Sequence, residues 1–367
     1  MFAQFLKKIW SRILYTQQRY IKKIRQIFTQ LKIWKSLAEN SKKIRELRKS
    51  HNPDQKVTAI FLTEHFGDIV ACEPIIRKLH NENSNNLLVW FTYPPYVEIL
   101  KNHPLLTSAL PVTCLAECDL IKKSGVIDQI VDLHIGPRAC KWTGNFYYQS
   151  DKATHGINVY NHYFHGTVLE ALSLAADLGV PSEQPQIHIP DSIKDEVGHL
   201  IPRKPYVVIH AASNMPARDW DNNKWKQLVG NILREYDVDI VEVGLESRVG
   251  NLEPKVYDLC GKLSLLQLAE VIRRSVGFVG IDSGPAHFAN ATLRPSVILL
   301  GHYLDYKKYM PYTGFLRDNS EEMIVFWNGP AKEIPVEVIE TKIKNLLLKS
   351  LQSDLHYHDA SSSGISR

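Results

Sequence analysis

The chain reads as an α/β protein built from two doubly wound domains facing a cleft, and three observations predict this. Beyond residue 53, short apolar strands alternate with amphipathic helices, the pattern of parallel sheets covered by helices. The alternation comes in two blocks, separated by a stretch from 185 to 205 that holds four prolines. Each block opens with a buried-type strand that ends in small, hydroxyl or acidic residues, at the place where such folds bind ligands. A length of 367 residues is ample for two cores, and no run of 18 apolar residues predicts a membrane-spanning helix.

The elements follow in order. Residues 1–52 predict a helical arm: Phe2, Leu6, Ile9, Ile13, Tyr20, Ile24, Ile27 and Leu31 share one side, and Lys7, Lys8, Arg19, Lys22, Arg25 and Lys32 spread over the other. His51-Asn52-Pro53-Asp54 ends it. The first domain, 53–190, has strands at 57–62, 87–92 and within 127–133, a helix at 73–81, and an irregular aromatic region from 137 to 166. A helix at 167–178 is stopped by Gly179 and Pro181. The second domain, 191–335, opens with the end of the linker. Strands at 206–210, 239–243, 277–281 and 296–300 then alternate with helices at 225–235, 265–274 and 286–291. A helix from 336 closes the chain by 353, and a Ser-rich tail at 354–367 is expected to be disordered.

The net charge of +5 conceals an asymmetry. Residues 1–50 hold 14 Lys or Arg against Glu39 and Glu46, so the body is net acidic and the arm strongly basic. A basic amphipathic helix suits an anionic membrane surface; packing on its own domain or on a partner is the other reading. The interrupted apolar run near Lys7, Lys8 and Arg12 does not predict a secretory signal. Five cysteines, with no zinc-like spacing beyond a lone Cys114-x-x-x-Cys118, predict a reducing cytoplasm.

Four segments can carry chemistry. Gly67-Asp68, after the first strand, puts a carboxylate at the crevice, where it could take a proton from an attacking hydroxyl or merely cap the next helix. After residue 210, Ser213 and Arg218 suit a phosphorylated ligand, with Arg218 positioned to neutralise a leaving diphosphate unless it is a solvated surface residue. Glu246, after 239–243, could hold ribose hydroxyls or be a loop charge. Asp282-Ser283-Gly284-Pro285 makes a sharp turn into a helix. Gly284 permits close backbone approach, Pro285 fits a first helical position, and the helix N-terminus suits a diphosphate.

Together these segments resemble the bacterial ADP-heptose:lipopolysaccharide heptosyltransferases, glycosyltransferase family 9, over about residues 57–350. The resemblance rests on GDIVACEP at 67–74, HAASNMPARDWDNNKWKQL at 210–228, and LCGKLSLLQLAEVIRRSVGFVGIDSGPAHFANATLRPSVILLG at 259–301. It implies the two-domain GT-B fold and metal-independent transfer with inversion, from a nucleotide-sugar co-substrate of the ADP-sugar type and with no further cofactor. It implies Asp68 as base and Arg218, usually Lys in the family, at the donor phosphate. It also implies Glu246 at the ribose, Leu263 lining the adenine, and Asp282, Ser283 and Gly284 at the donor loop. His287 follows that loop, in a packing, capping or ligand role. His302-Tyr303 departs from the family's usual Gly-Pro-Thr, and the basic arm lies outside the common pattern.

His65, His162 and Tyr163 are candidates for acceptor contact. The last two belong to a cluster with His155, Tyr160 and His165 that could equally be a surface aromatic loop. Asp219-x-Asp221 and Asp237-x-Asp239 copy a metal signature of another transferase fold, but sit in a polar loop and ahead of a buried strand. The resulting expectation is a glycosyltransferase acting on a glycan or lipid-linked acceptor, cytoplasmic and peripheral on the inner membrane face, with no nucleic-acid partner. A non-catalytic sugar-nucleotide binder of the same fold is the alternative, and an epimerase a third option.

Overall fold

The computed structural model describes residues 2–362 except 53, 141, 145, 148–154 and 251–253. Its first lobe is a parallel sheet in the order β3-β2-β1-β4, formed by β1 (Val57–Phe61), β2 (Leu87–Thr92), β3 (Ser108–Pro111) and β4 (Gln129–Asp132). Val57 pairs with Leu87, and Thr58 with Gln129. A short antiparallel hairpin follows, β5 (Arg138–Ala139) with β6 (Phe146–Tyr147).

The second lobe is a six-stranded parallel sheet in the order β12-β11-β10-β7-β8-β9. Its strands are β7 (Tyr206–His210), β8 (Asp239–Val243), β9 (Val256–Asp258), β10 (Gly277–Ile281), β11 (Ser296–Leu300) and β12 (Ile324–Phe326). β1, β2, β7, β8, β10 and β11 are buried along their whole length, which is why all but β8, with its buried Asp239 and Glu242, read as mostly apolar runs and not as alternating ones. The edge strands β3, β9 and β12 are short and only partly buried, so their pattern is too weak to show in the sequence.

One apolar cluster runs through both lobes, joining Ile69 and Ile76 of the first to Ala286 and Phe288 of the second. Polar bonds cross the same boundary. Glu98 accepts from the Leu265 amide at 2.9 Å, Thr167 and Thr313 hydroxyls meet at 2.7 Å, and Gln184 donates to the Asn290 carbonyl at 2.7 Å.

Three expectations need correction. The 185–205 linker is not wholly irregular: Asp191–Gly198 is a helix, and Gln267 of the Leu265–Arg274 helix donates to its Glu196 at 2.8 Å. The last helix, Val336–Ser362, runs into the expected tail, because no proline or glycine follows Pro335 until Gly364. Residues 363–367 lie outside the described residues. The arm is one helix, Phe2–Ser50, whose end belongs to the first lobe's core: Ile44 is fully buried among Val57, Phe61 and Phe91, and Asn40 donates to the Pro111 carbonyl at 2.9 Å. The body-facing side chains are Thr29, Ile33, Asn40 and Ile44, not the stripe through Ile24, Ile27 and Leu31, which is exposed. No helix among the described residues is long and apolar enough to cross a membrane.

Candidate functional site

The Thr63–Asp68 turn is braced from below. His134, buried after β4, accepts from the Thr63 amide at 3.1 Å through Nε2 and bonds Asp132 at 2.8 Å through Nδ1. Burial alone would raise the Asp132 pKa, but His134 and Lys122 hold it well below the usual carboxylate range. The turn then passes through His65, whose φ of 51° lies in the left-handed region and costs a non-glycine residue roughly 1–3 kcal/mol. Asp68 sits in the first turn of the Phe66–Ala71 helix, half-buried, and its carboxylate has no hydrogen bond or ion pair among the described residues. It caps nothing.

The second lobe meets this turn directly. A Cβ on Gly67 would stand 2.8 Å from the His287 ring and 3.1 Å from the Gly284 Cα, and one on Gly284 would stand 2.1 Å from Phe66. Only glycine on both sides allows the two turns to touch. Asp68 thus lies beside the N-terminus of the Gly284–Ala291 helix, which no side chain caps. Asp68 and Ser283, each one residue from the touching glycines, thus flank the inter-lobe junction, or gap.

His210 and Ser283 form the back of that gap, with His210 Nδ1 3.0 Å from the Ser283 hydroxyl. Burial lowers the His210 pKa to about 4, so its ring is neutral at pH 7. Sequence reading missed this residue. Its signal was a histidine closing an otherwise apolar strand.

Arg218 and Asp282 make a buried pair. Arg218 Nη1 is 3.0 Å from Asp282 Oδ2, and the guanidinium stacks 3.7 Å above the Tyr303 ring. Tyr309 and Tyr312 donate to the two Asp282 oxygens at 2.9 and 2.8 Å. Asp282 therefore faces inward as the anchor of Arg218, and its carboxylate is not turned to the gap. Burial works against the Arg218 charge, but Asp282 outweighs it and the pKa is raised. Its buried Nε has no partner. The tyrosines at 303, 306, 309 and 312 recur every third residue, a signal the sequence carried and the reading overlooked.

His162 and Tyr163 reach this cluster from the first lobe. Tyr163 packs 4.7 Å from Tyr309, and His162 4.2 Å from Tyr163. Burial lowers the His162 pKa, with the Asp68 charge opposing. The rest of the aromatic cluster disperses: Tyr160 is exposed, and His155 bonds Asp177 at the surface. His65 is exposed at the lip. His287 is buried against Tyr312, with burial lowering its pKa and Nδ1 unpaired; it packs the lobes together.

The remaining candidates sort by what they touch. Ser213 donates to Asp219 through both amide and hydroxyl, at 2.8 Å each, so it shapes the loop before Arg218. Asp221 caps the Asn222–Glu235 helix. Glu246 is exposed on the loop after β8, while the missed Glu242 fixes that loop by accepting from the Val249 amide at 2.9 Å. The Gly261 amide donates to the Gly244 carbonyl at 2.8 Å, bringing half-buried Leu263 to the same rim. Glu73, His103 and His188 could together hold a metal ion away from this gap. Glu73 is, however, already engaged by Arg77 and the Gln186 amide, and His103 Nδ1 by the Leu105 amide.

Two facing Rossmann-like lobes define the GT-B class of glycosyltransferase folds. The model of glycosyltransferase family 9 (heptosyltransferase) matches residues 150–315. Lipopolysaccharide heptosyltransferase 3 of Escherichia coli is 30% identical over 186 residues, covering 46% of this chain and 52% of that protein. The match thus spans about half the relative's length. Two solved structures share the fold: a family 9 glycosyltransferase from Veillonella parvula DSM 2008 (TM-score 0.60, 15% identity, 80% of this chain and 98% of that one), and ADP-heptose lps heptosyltransferase II of E. coli (TM-score 0.56, 16% identity, 80% and 99%). The stretch similar to glycosyltransferase family 9, residues 150–315, is a little under half of the chain.

Proposed function

We propose that the protein is an inverting glycosyltransferase that moves a heptose from ADP-heptose to a hydroxyl of a lipopolysaccharide-type acceptor, without a metal ion. The observation that carries this is the contact of Gly67 with Gly284, which sets a partnerless carboxylate beside an uncapped helix N-terminus. The acceptor oxygen forms its bond to the anomeric carbon, its proton passes to Asp68, and the bond from that carbon to the diphosphate oxygen breaks. The Ser283–Gly284 backbone and the Arg218 guanidinium receive the charge that gathers on the diphosphate. Arg218 is neutralised in part by Asp282, so it acts as an oriented donor more than as a free charge.

Glu246 and Leu263, on one rim, suit ribose and adenine. His162 and Tyr163, packed on the tyrosine cluster around Arg218, suit the acceptor sugar. The heptose and its nucleotide are carried over from the E. coli relatives, whose names state them. A lipid-linked acceptor would place the enzyme on the inner face of the cytoplasmic membrane.

Thermal-shift measurement with ADP-, GDP-, UDP- and dTDP-sugars tests the donor. Stabilisation by adenine nucleotides alone is expected, and stabilisation by a uracil nucleotide alone overturns the heptose assignment. Transfer by Asp68→Asn separates the enzyme from a non-catalytic binder.

A further inference from the structure

The Phe2–Ser50 helix has two faces with different fates. Thr29, Ile33, Asn40 and Ile44 are buried against the first lobe, while Ile21, Ile24, Ile27, Phe28, Leu31 and Trp34 are each more than half exposed. At roughly 100° per residue the two sets fall on opposite sides of the helix. The exposed set is a continuous apolar stripe, which soluble surfaces ordinarily avoid. Exposed Lys23 and Lys32 flank it on opposite margins, and exposed Lys35 stands near its end. Residues 1–38 hold nine Lys or Arg and no Asp or Glu.

We propose that this stripe, from Ile21 to Trp34, docks on an anionic phospholipid bilayer with the helix axis in the membrane plane. The apolar side chains enter the headgroup–acyl boundary, Trp34 sits at headgroup level, and the flanking lysines reach lipid phosphates. Charge selects this occupant over a second copy of the chain: two such arms would bring together basic strips with no acid to pair them. The proposal rests on the membrane location proposed above only for its use, which is to present a lipid-linked acceptor to the gap.

Sedimentation of the full chain with phosphatidylcholine vesicles, with and without phosphatidylglycerol, tests it. Binding is expected only with the anionic lipid and should weaken as salt rises. The triple variant Phe28→Ser, Leu31→Ser, Trp34→Ser should bind at least about tenfold more weakly, with unchanged circular dichroism because all three residues are exposed. Lys23→Gln with Lys32→Gln and Lys35→Gln should also weaken binding without lowering the melting temperature. Equal binding by parent and triple variant, or no parent binding to anionic vesicles, overturns the proposal. So does a concentration-dependent dimer that the triple variant abolishes while vesicle binding is absent. The binding assay uses no donor and transfer can be followed with a soluble acceptor. Vesicle binding without transfer therefore defeats the activity and leaves the docking face standing.

Discussion

Replacing Asp282 by Asn perturbs the point on which the gap's charge is hung. The side chain is 3% exposed and accepts from Tyr309, Tyr312 and Arg218, whose own side chain is 17% exposed. Asparagine keeps the shape, removes the charge and turns an NH2 toward at least one of these donors. Hydrogen bonds to a charged acceptor contribute about 1.5–3 kcal/mol and neutral ones about 0.5–1.5. Stranding the guanidinium is the larger effect, since breaking a buried pair costs about 3–5 kcal/mol. The two effects share one carboxylate and do not add, so the expected loss is about 3–5 kcal/mol, a large part of a stability of about 5–15. Urea unfolding at pH 7, followed by intrinsic fluorescence, measures it as a lower midpoint at constant slope. Adding Arg218→Met should recover part of the loss, because no buried charge is then unpaired. If Asp282→Asn stays within about 0.5 kcal/mol of the parent, or the double variant is no better than the single, the buried pair is not what holds this region.

Three further outcomes follow from the same geometry. Asp68→Asn should lower transfer by about 10²–10⁴-fold while leaving nucleotide-induced stabilisation intact, as read by single-turnover kinetics and thermal shift; near-parent turnover removes the base assignment. Burial depresses His210 below its unfolded value near 6.5, so the unfolded chain binds the extra proton. The His210 contribution to stability should fall as pH drops below about 6.5 and level off below about 4, by up to about 3 kcal/mol. His210→Gln should flatten that slope in part, with His134, His162, His188 and His287, also depressed by burial, contributing to the remainder. Gly284→Ala should drive a methyl into the Phe66 ring and cost about 1–3 kcal/mol. Transfer would fall further than stability, measured as kcat, because the strain is relieved by parting the lobes.

Apart from the edge strand within 127–133, the strands that sequence reading located are those buried from end to end, where a run such as 277–281 has no polar residue to blur it. The edge strands at 108–111, 256–258 and 324–326 escaped because a half-exposed edge obeys no strong pattern. Asp68, Ser283 and Gly284 stand out in the sequence because turn chemistry is local, and the structure brings their two turns into contact at Gly67 and Gly284. The partner of Arg218 was not legible. Asp282 looked like a ligand contact and proved to be the arginine's anchor, held by tyrosines 27 and 30 residues further on.

By itself, then, the sequence determined the two-block α/β architecture, the basic arm and the phosphate-type turn, all set by short-range periodicity and backbone preference. Only the tertiary structure decided which turn meets which, that Gly67 lies against Gly284, and that the arm buries the face opposite its longest apolar stripe. Those outcomes depend on side chains brought together across large separations, and burial, not spacing, then selects each charge's partner.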